Sequence, residues 1–206
     1  MTAIDQIKQI QVILKVVSDG DFGPISRAAL DSVIRRSHEV VAPDYVPKVD
    51  PFTGLHPFVS VAAEWMGKHE TSRNQFDGME KVWVDTNYPD GWQDRAPYCA
   101  AFQCHVVAEA KRNGAHPAYL PTSPSVSEFR NWARKLGITV ADPKPGDHFT
   151  LLPSGTSHIG LVEHVNNGVI FTMEGNTDGS GGRDGDGFYR RTRLISSCDF
   201  FRIPCA

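Results

Sequence analysis

The order of the hydrophobic patterns is the feature that most constrains the fold of this chain. Helical periodicity dominates up to residue 136, and short strand-like segments follow from residue 148. Helices and strands segregated in this way are typical of an α+β fold, with helices packed on an antiparallel sheet. The predicted helices are 4–17, 26–36, 58–66, 76–84, 98–111 and 125–136, and the predicted strands are 148–152, 158–165, 169–174, 187–193 and 200–204.

A proline-rich stretch divides the chain. Residues 42–57 contain four prolines and a glycine, a composition that breaks regular structure and favours a semi-rigid linker. We therefore predict a small helical segment over 1–41, a linker over 42–57 and a main domain over 58–206. The hydrophobic fraction of 40% in 206 residues is enough for one principal packed domain.

Composition argues against several classes of protein. The net charge is −3 and the basic residues are scattered, so we expect no nucleic-acid partner. The sequence has no apolar run long enough for a transmembrane helix, and residues 1–15 lack the features of a signal peptide. We expect a monomer that is made in a cytoplasm.

The four cysteines show no metal spacing and are expected to be free thiols, with a Cys198–Cys205 pair after export as the alternative.

Cys99 differs from the other cysteines because it begins a strongly helical segment and precedes the small residues Ala100 and Ala101. Backbone N–H groups in the first turn of a helix have no intrahelical partner, and the helix dipole adds positive charge there, so a thiolate is stabilised. The same N–H groups can form an oxyanion hole. We predict that Cys99 is a nucleophile. The alternative is a buried structural cysteine, which is what we expect of Cys104 in mid-helix.

His158 opens a predicted strand of a β-hairpin. With a three-residue turn over 166–168, the register sets His158 opposite Asn176 and Gly160 opposite Glu174. A carboxylate or amide in that place can hold the imidazole and fix its tautomer, which predicts His158 as the base. A two-residue turn would shift the register by one and separate these residues. The alternative is a strand histidine without a catalytic role.

Four motifs together resemble the CHAP amidase/endopeptidase family, which belongs with the NlpC-type peptidases in a papain-like superfamily. They are Pro-Tyr-Cys-Ala-Ala-Phe at 97–102, Lys-Pro-Gly-Asp at 144–147, Ser-His-Ile-Gly-Leu-Val at 157–162 and Glu-Gly-Asn-Thr at 174–177. The similarity extends from about residue 57 to residue 204. It implies a papain-like core with Cys99 as the nucleophile, His158 as the base, and Glu174 and Asn176 as polar partners, with Glu174 orienting the imidazole.

The resemblance also implies a substrate. CHAP proteins cleave peptidoglycan at the sugar–L-alanine amide or within the peptide stem, so we expect a bacteriolytic cysteine hydrolase with peptidoglycan as its partner. A chain without a signal peptide fits a phage endolysin that reaches the cell wall after release, and equally an injected antibacterial effector. The alternatives are a non-catalytic cell-wall-binding protein and a cysteine transferase or protease that acts on other amides.

Further expectations concern substrate, metal and the first residues. We predict substrate contacts for Trp92, in the loop before the nucleophile, and for Tyr98. Some family members bind calcium, but two acidic runs lack EF-hand spacing, and we expect polar loops without a metal or cofactor. These runs are Asp85, Asp90 and Asp94, and Asp178, Asp184 and Asp186. Residues 1–41 resemble a truncated peptidoglycan-binding repeat; the alternative is a helical pair that packs on the catalytic domain.

Overall fold

The computed structural model describes residues 55–151, 158–178 and 185–206. Within these residues, six strands form one antiparallel sheet in the order β1-β6-β2-β3-β4-β5, and the helices precede it in sequence. The predicted α+β class is confirmed. The elements are α1 (Pro57–Ala63), α2 (Met79–Trp83), α3 (Cys99–Arg112), α4 (Val126–Lys135), β1 (Thr139–Val140), β2 (His148–Leu151), β3 (Ile159–Asn166), β4 (Val169–Thr177), β5 (Gly187–Leu194) and β6 (Cys198–Phe201).

The chain divides into two compact units, residues 1–40 and residues 41–206. The predicted helices 4–17 and 26–36 and most of the predicted linker lie outside the described residues, so the prediction for residues 1–41 is untested. Among the residues that are described, no helix combines the length and hydrophobicity needed to cross a membrane.

The helices begin and end where local chemistry dictates. Ser125 caps α4 by accepting a hydrogen bond from the Glu128 N–H at 3.4 Å, and a serine followed three residues later by a glutamate is a sequence signal for a helix start. The helix predicted over 76–84 begins three residues late, at Met79, because Gly78 has φ 90° and cannot belong to a right-handed helix. The two-residue strand β1 is too short to leave a pattern in the sequence, and it was not predicted.

An aromatic cluster attaches the start of α3 to the sheet. The ring of Phe188, on β5, lies 4.8 Å from the ring centroid of Phe102 and 5.3 Å from that of Tyr98. Trp65 and Phe76 complete the cluster, with ring centroids 5.3 and 5.2 Å from that of Phe188. All five side chains are at most 8% exposed. Such tightly packed rings resist displacement, so the first turn of α3 has a fixed position above the sheet.

The β3–β4 hairpin differs from the prediction at its turn. Asn166 pairs with Val169, and the two residues between them, Asn167 and Gly168, have φ 47° and 80°. Two left-handed residues, Asn followed by Gly, make the tight turn that matches the twist of a hairpin. The predicted three-residue turn is therefore wrong.

A β-bulge nevertheless gives the register that was predicted for the site. Glu163 is an extra residue in β3, and beyond it Val162 pairs with Thr172 and Leu161 with Met173. Continuing that register by one residue sets Gly160 opposite Glu174. The bulge compensates for the shorter turn, which explains why His158 and Glu174 still meet.

His148 is an unusual core residue. It is fully buried at the start of β2, with its ring centroid 5.9 Å from that of Phe58 and 5.3 Å from that of Phe129. Neither of its ring nitrogens has a hydrogen-bond partner among the described residues. Burial, with a smaller contribution from nearby His56, lowers the pKa of His148 to about 3. The folded protein therefore holds this imidazole in its neutral form.

This burial predicts a pH-dependent stability. The unfolded chain protonates His148 near pH 6.5, whereas the folded chain does so only near its pKa of about 3. Stability attributable to this residue is thus lost as the pH falls below 6.5, by about 2 kcal/mol at pH 5. We expect His148→Phe to remove that loss, as measured by urea unfolding at pH 8 and pH 5. His164→Phe, at an exposed strand position, is the control. Parallel losses in wild type and His148→Phe would contradict this account.

Candidate active site

Cys99 is the first residue of α3. Tyr98 occupies the N-cap position but provides no side-chain cap, so the N–H groups of the first turn have no side-chain acceptor from that residue. Cys99 is 5% exposed, and Ala100 and Ala101 beside it are fully buried. The thiol therefore lies in a nearly dry site at the positive end of a helix dipole, as the sequence predicts.

His158 connects Cys99 to Glu174. Its Nε2 lies 2.8 Å from Glu174 Oε2, and its ring is near enough to Cys99 for that thiol to raise the pKa of His158. Because Nε2 is taken by the carboxylate, Nδ1 is the nitrogen that can face the thiol. Nδ1 has no hydrogen-bond partner among the described residues, so it is available to the thiol. The three side chains thus form a continuous Cys99–His158–Glu174 series.

The carboxylate of Glu174 is fully buried and takes part in four hydrogen bonds with three residues. Oε1 accepts from the Thr172 hydroxyl at 2.6 Å and from Arg193 Nε at 2.9 Å. Oε2 accepts from Arg193 Nη2 at 2.6 Å in addition to its bond with His158. Arg193 is 4% exposed, so this is a buried, bidentate ion pair. Such a set of partners fixes both the position and the charge of the carboxylate.

The charges of the site reinforce one another. Burial by itself would lower the pKa of His158, but its hydrogen bonds to Cys99 and Glu174 and the charge of Glu174 raise it to about 9. Burial would likewise raise the pKa of Glu174, but the charge of Arg193 and the hydrogen bonds from His158 and Arg193 hold it well below its usual range. The favoured state at neutral pH is therefore an imidazolium beside an ionised carboxylate, with the Cys99 side chain next to the imidazolium.

Gly160 provides the space for this arrangement. A Cβ atom at position 160 would lie 2.6 Å from the Phe149 ring and 2.8 Å from Glu174 Cγ. Both distances are below those that real side chains tolerate, so any larger residue would displace Glu174 or Phe149. The lack of space beside Phe149 and Glu174 therefore explains why the Ser-His-Ile-Gly motif has a glycine at position 160.

Asn176 lies in a second bulge. It is fully buried between the β4–β5 pairs Gly175–Phe188 and Thr177–Gly187, with φ 59°. A left-handed backbone is strained for a residue other than glycine and is often found at functional sites. The N–H of Asn176 donates to the Tyr98 hydroxyl, which ties this bulge to the start of α3.

The structure favours different roles for the two residues predicted to touch substrate. Tyr98 is fully buried, and its hydroxyl donates to Glu70 Oε1 at 2.9 Å, so its position supports a structural role instead of substrate contact. Trp92 is half-buried, and its carbonyl accepts a hydrogen bond from the Gln75 side chain. Trp92 retains exposed surface, and substrate contact by this residue stays a prediction.

The acidic residues considered for calcium are bound in other ways or are distant from one another. Asp85 accepts from Arg112 at 2.8 and 2.7 Å and lies 3.2 Å from His105 Nδ1. Asp94 and Asp186 accept hydrogen bonds from the hydroxyls of Tyr88 and Tyr189. Asp184 lies outside the described residues. Within those residues, no group of three or more metal-binding side chains comes together.

Sequence reasoning missed Arg193 and Thr172. The available signal was the alternation of β4 and β5, which sets Thr172 and Glu174 on one face and Arg191 and Arg193 on one face of the neighbouring strand. A buried carboxylate needs a cation or hydrogen-bond donors, so a glutamate in a core strand indicates such a partner on a neighbouring strand.

Comparison with protein families, with characterised proteins and with solved structures finds no match for this chain. The geometry of the site and the four sequence motifs therefore carry the functional interpretation.

The site predicts that the cysteines differ in reactivity. Cys104 donates to the Ser123 carbonyl at 3.4 Å, and burial and nearby Asp85 raise the pKa of its thiol. We expect iodoacetamide at pH 7 to modify Cys99 at least about tenfold faster than Cys104, as measured by peptide mass spectrometry. In urea the two rates should converge, and His158→Ala should slow only Cys99. Equal rates in the folded protein would contradict an activated thiol.

The space at Gly160 gives a second prediction. Gly160→Ala should destabilise the fold by about 1–3 kcal/mol and also slow alkylation of Cys99, because Glu174 is displaced. Gly91→Ala is a matched control, since a Cβ atom there would lie 2.3 Å from the Trp83 ring. That variant should lose stability in urea unfolding without slowing alkylation of Cys99. Slowing by both variants would indicate a general effect of overpacking.

Proposed function

We propose that this chain is a cysteine hydrolase that cleaves amide bonds in bacterial peptidoglycan. The observation that carries the chemical part is the Cys99–His158–Glu174 series at the start of a helix, with Glu174 ionised and buried. A nucleophile, a base and a group that orients the base are the components of thiol acyl transfer.

The proposed reaction has two halves, formation of a thioester on Cys99 and its hydrolysis, and His158 transfers protons in both. At the start the proton of the pair lies on the His158 imidazole, and Cys99 Sγ attacks the amide carbonyl carbon. The first-turn N–H groups of α3 stabilise the negative charge on the carbonyl oxygen. The imidazolium then gives its proton to the leaving amine, the C–N bond breaks, and a thioester remains on Cys99. Water, deprotonated by His158, hydrolyses the thioester and restores the thiol.

The substrate class rests on the resemblance to the CHAP family. Helix α3 begins within the cysteine motif, β3 begins within the histidine motif, and β4 contains the Glu-Gly-Asn-Thr motif, an order that supports a papain-like core. We propose action on the cell wall as a lysin, either as N-acetylmuramoyl-L-alanine amidase or as stem or cross-bridge endopeptidase. Delivery as an injected effector would use the same chemistry.

The first test is digestion of purified peptidoglycan followed by muropeptide analysis. We expect wild type to release products, and Cys99→Ala and His158→Ala to lose at least about 10³-fold in rate, because both act in the same step. Sugar-free stem peptides would identify an amidase, and shortened stems an endopeptidase.

Controls separate this proposal from its alternatives. Cys104→Ala removes a thiol from the same helix outside the series and should retain activity. Equal product from wild type and Cys99→Ala would exclude the cysteine mechanism. Binding of wild type to peptidoglycan without any product would favour the non-catalytic cell-wall-binding protein. An active thiol with neither binding nor product would favour a cysteine enzyme that acts on other amides.

A further inference from the structure

Arg193 lies outside the Cys99–His158–Glu174 series but bonds to both carboxylate oxygens of Glu174. Its guanidinium lies along the Glu174 carboxylate, with Nε 2.9 Å from Oε1 and Nη2 2.6 Å from Oε2. Oε2 is also the atom that meets His158 Nε2, at 2.8 Å. One carboxylate oxygen therefore has both the permanent cation and the titrating imidazole as partners.

The ionisation of Glu174 decides which nitrogen of His158 is free. With Glu174 ionised, a neutral His158 donates its Nε2–H to the carboxylate, and Nδ1 keeps the lone pair needed to accept the Cys99 proton. With Glu174 protonated, the carboxyl O–H would donate to Nε2 instead. The imidazole proton would then reside on Nδ1, where it prevents His158 from acting as the base.

A second cation is needed because His158 is neutral for part of the reaction. Glu174 and Arg193 are 0% and 4% exposed, so water cannot balance the carboxylate when the imidazolium has given up its proton. A buried carboxylate without a cation takes up a proton. Arg193 stays charged at every step, because guanidinium does not deprotonate in proteins.

We propose that Arg193 is a positioning residue that keeps Glu174 ionised throughout turnover and so holds His158 in the tautomer with Nδ1 free for Cys99. Arg193 acts through Glu174. The inference rests on the cysteine chemistry of the proposed function, but it does not depend on peptidoglycan as the substrate.

Other charged or titratable groups near Glu174 do not replace Arg193. Arg191 and Cys198 lie within electrostatic range of Glu174. Arg191 directs Nη1 to the Asp178 carbonyl at 2.9 Å, and Cys198 lies beside the Ser197 hydroxyl at 3.6 Å. On its other side His158 faces the Cys99 thiol. The remaining donor, Thr172, is uncharged, so the cation bonded to both carboxylate oxygens is Arg193.

The test measures the rate of Cys99 alkylation by iodoacetamide from pH 5 to pH 9.5 in the full chain. Wild type should react at a nearly constant rate between pH 6 and pH 8, because His158 stays positively charged beside Cys99 over this range. Arg193→Met should react about 10- to 100-fold more slowly at pH 7, with a rate that rises with pH as for an ordinary thiol. Arg193→Lys keeps the charge and should keep the plateau with a smaller loss.

A double-mutant cycle tests whether Arg193 acts through Glu174. Within the Glu174→Gln background, Arg193→Met should lower the rate by less than about twofold, because the carboxylate is already absent. A loss as large as that in wild type would overturn the proposal. So would a plateau that survives Arg193→Met in a folded protein. If Arg193→Met does not fold, two other results would overturn the proposal. One is loss of the rate plateau in Arg193→Lys, and the other is a slower alkylation of the Glu174→Gln, Arg193→Met double variant than of Glu174→Gln alone.

A matched control removes a similar ion pair elsewhere. Arg202 donates to the buried Asp147 carboxylate at 2.8 and 2.7 Å, so Arg202→Met breaks an equally bidentate pair. The pH profile of Cys99 alkylation in Arg202→Met should match that of wild type. If Arg202→Met shows the same change as Arg193→Met, the proposal is overturned. The two proposals can fail separately. If Arg193→Met changes the pH profile of Cys99 alkylation but wild type does not cleave peptidoglycan, the substrate assignment is refuted and the role of Arg193 stands.

Discussion

The buried carboxylate of Glu174 is the group on which the candidate site depends. Removing an ionised carboxylate from water is costly unless charge and hydrogen bonds replace the lost hydration. Here Arg193, Thr172 and His158 supply those partners from three strand positions. The same contacts that make burial of Glu174 tolerable also orient the imidazole toward Cys99. Stability and chemistry therefore impose the same requirements on β3, β4 and β5.

The sequence predicted the parts of this structure that depend on local chemistry. The α+β class follows from hydrophobic periodicity, and α4 begins at Ser125 because a serine with Glu128 three residues later is a cap signal. Cys99 was singled out because a polarised helix start is visible in the sequence itself. The meeting of His158 with Glu174 was predicted from strand alternation together with an assumed turn of three residues.

The features that escaped prediction depend on contacts between distant segments. The Asn167–Gly168 turn is a strong local signal, but the compensating bulge at Glu163 has none, so a correct register was reached through a wrong turn. Arg193 was missed because its partner lies 19 residues away, on a neighbouring strand. The burial of Tyr98 likewise depends on Phe188 and other rings that the sequence does not bring together. Such features require tertiary structure.

The bulge at Glu163 has a consequence for how this hairpin can vary. Side chains alternate between the two faces of a strand, so a shift of the pairing register by one residue decides whether His158 and Glu174 share a face. The turn and the bulge each shift the register, and a change of one residue in either can be offset by the other. Sequences with a longer turn and a regular strand, or a shorter turn and a bulge, would present the same pair of side chains. The length of the hairpin end is thus a poor guide to whether a related chain retains the site.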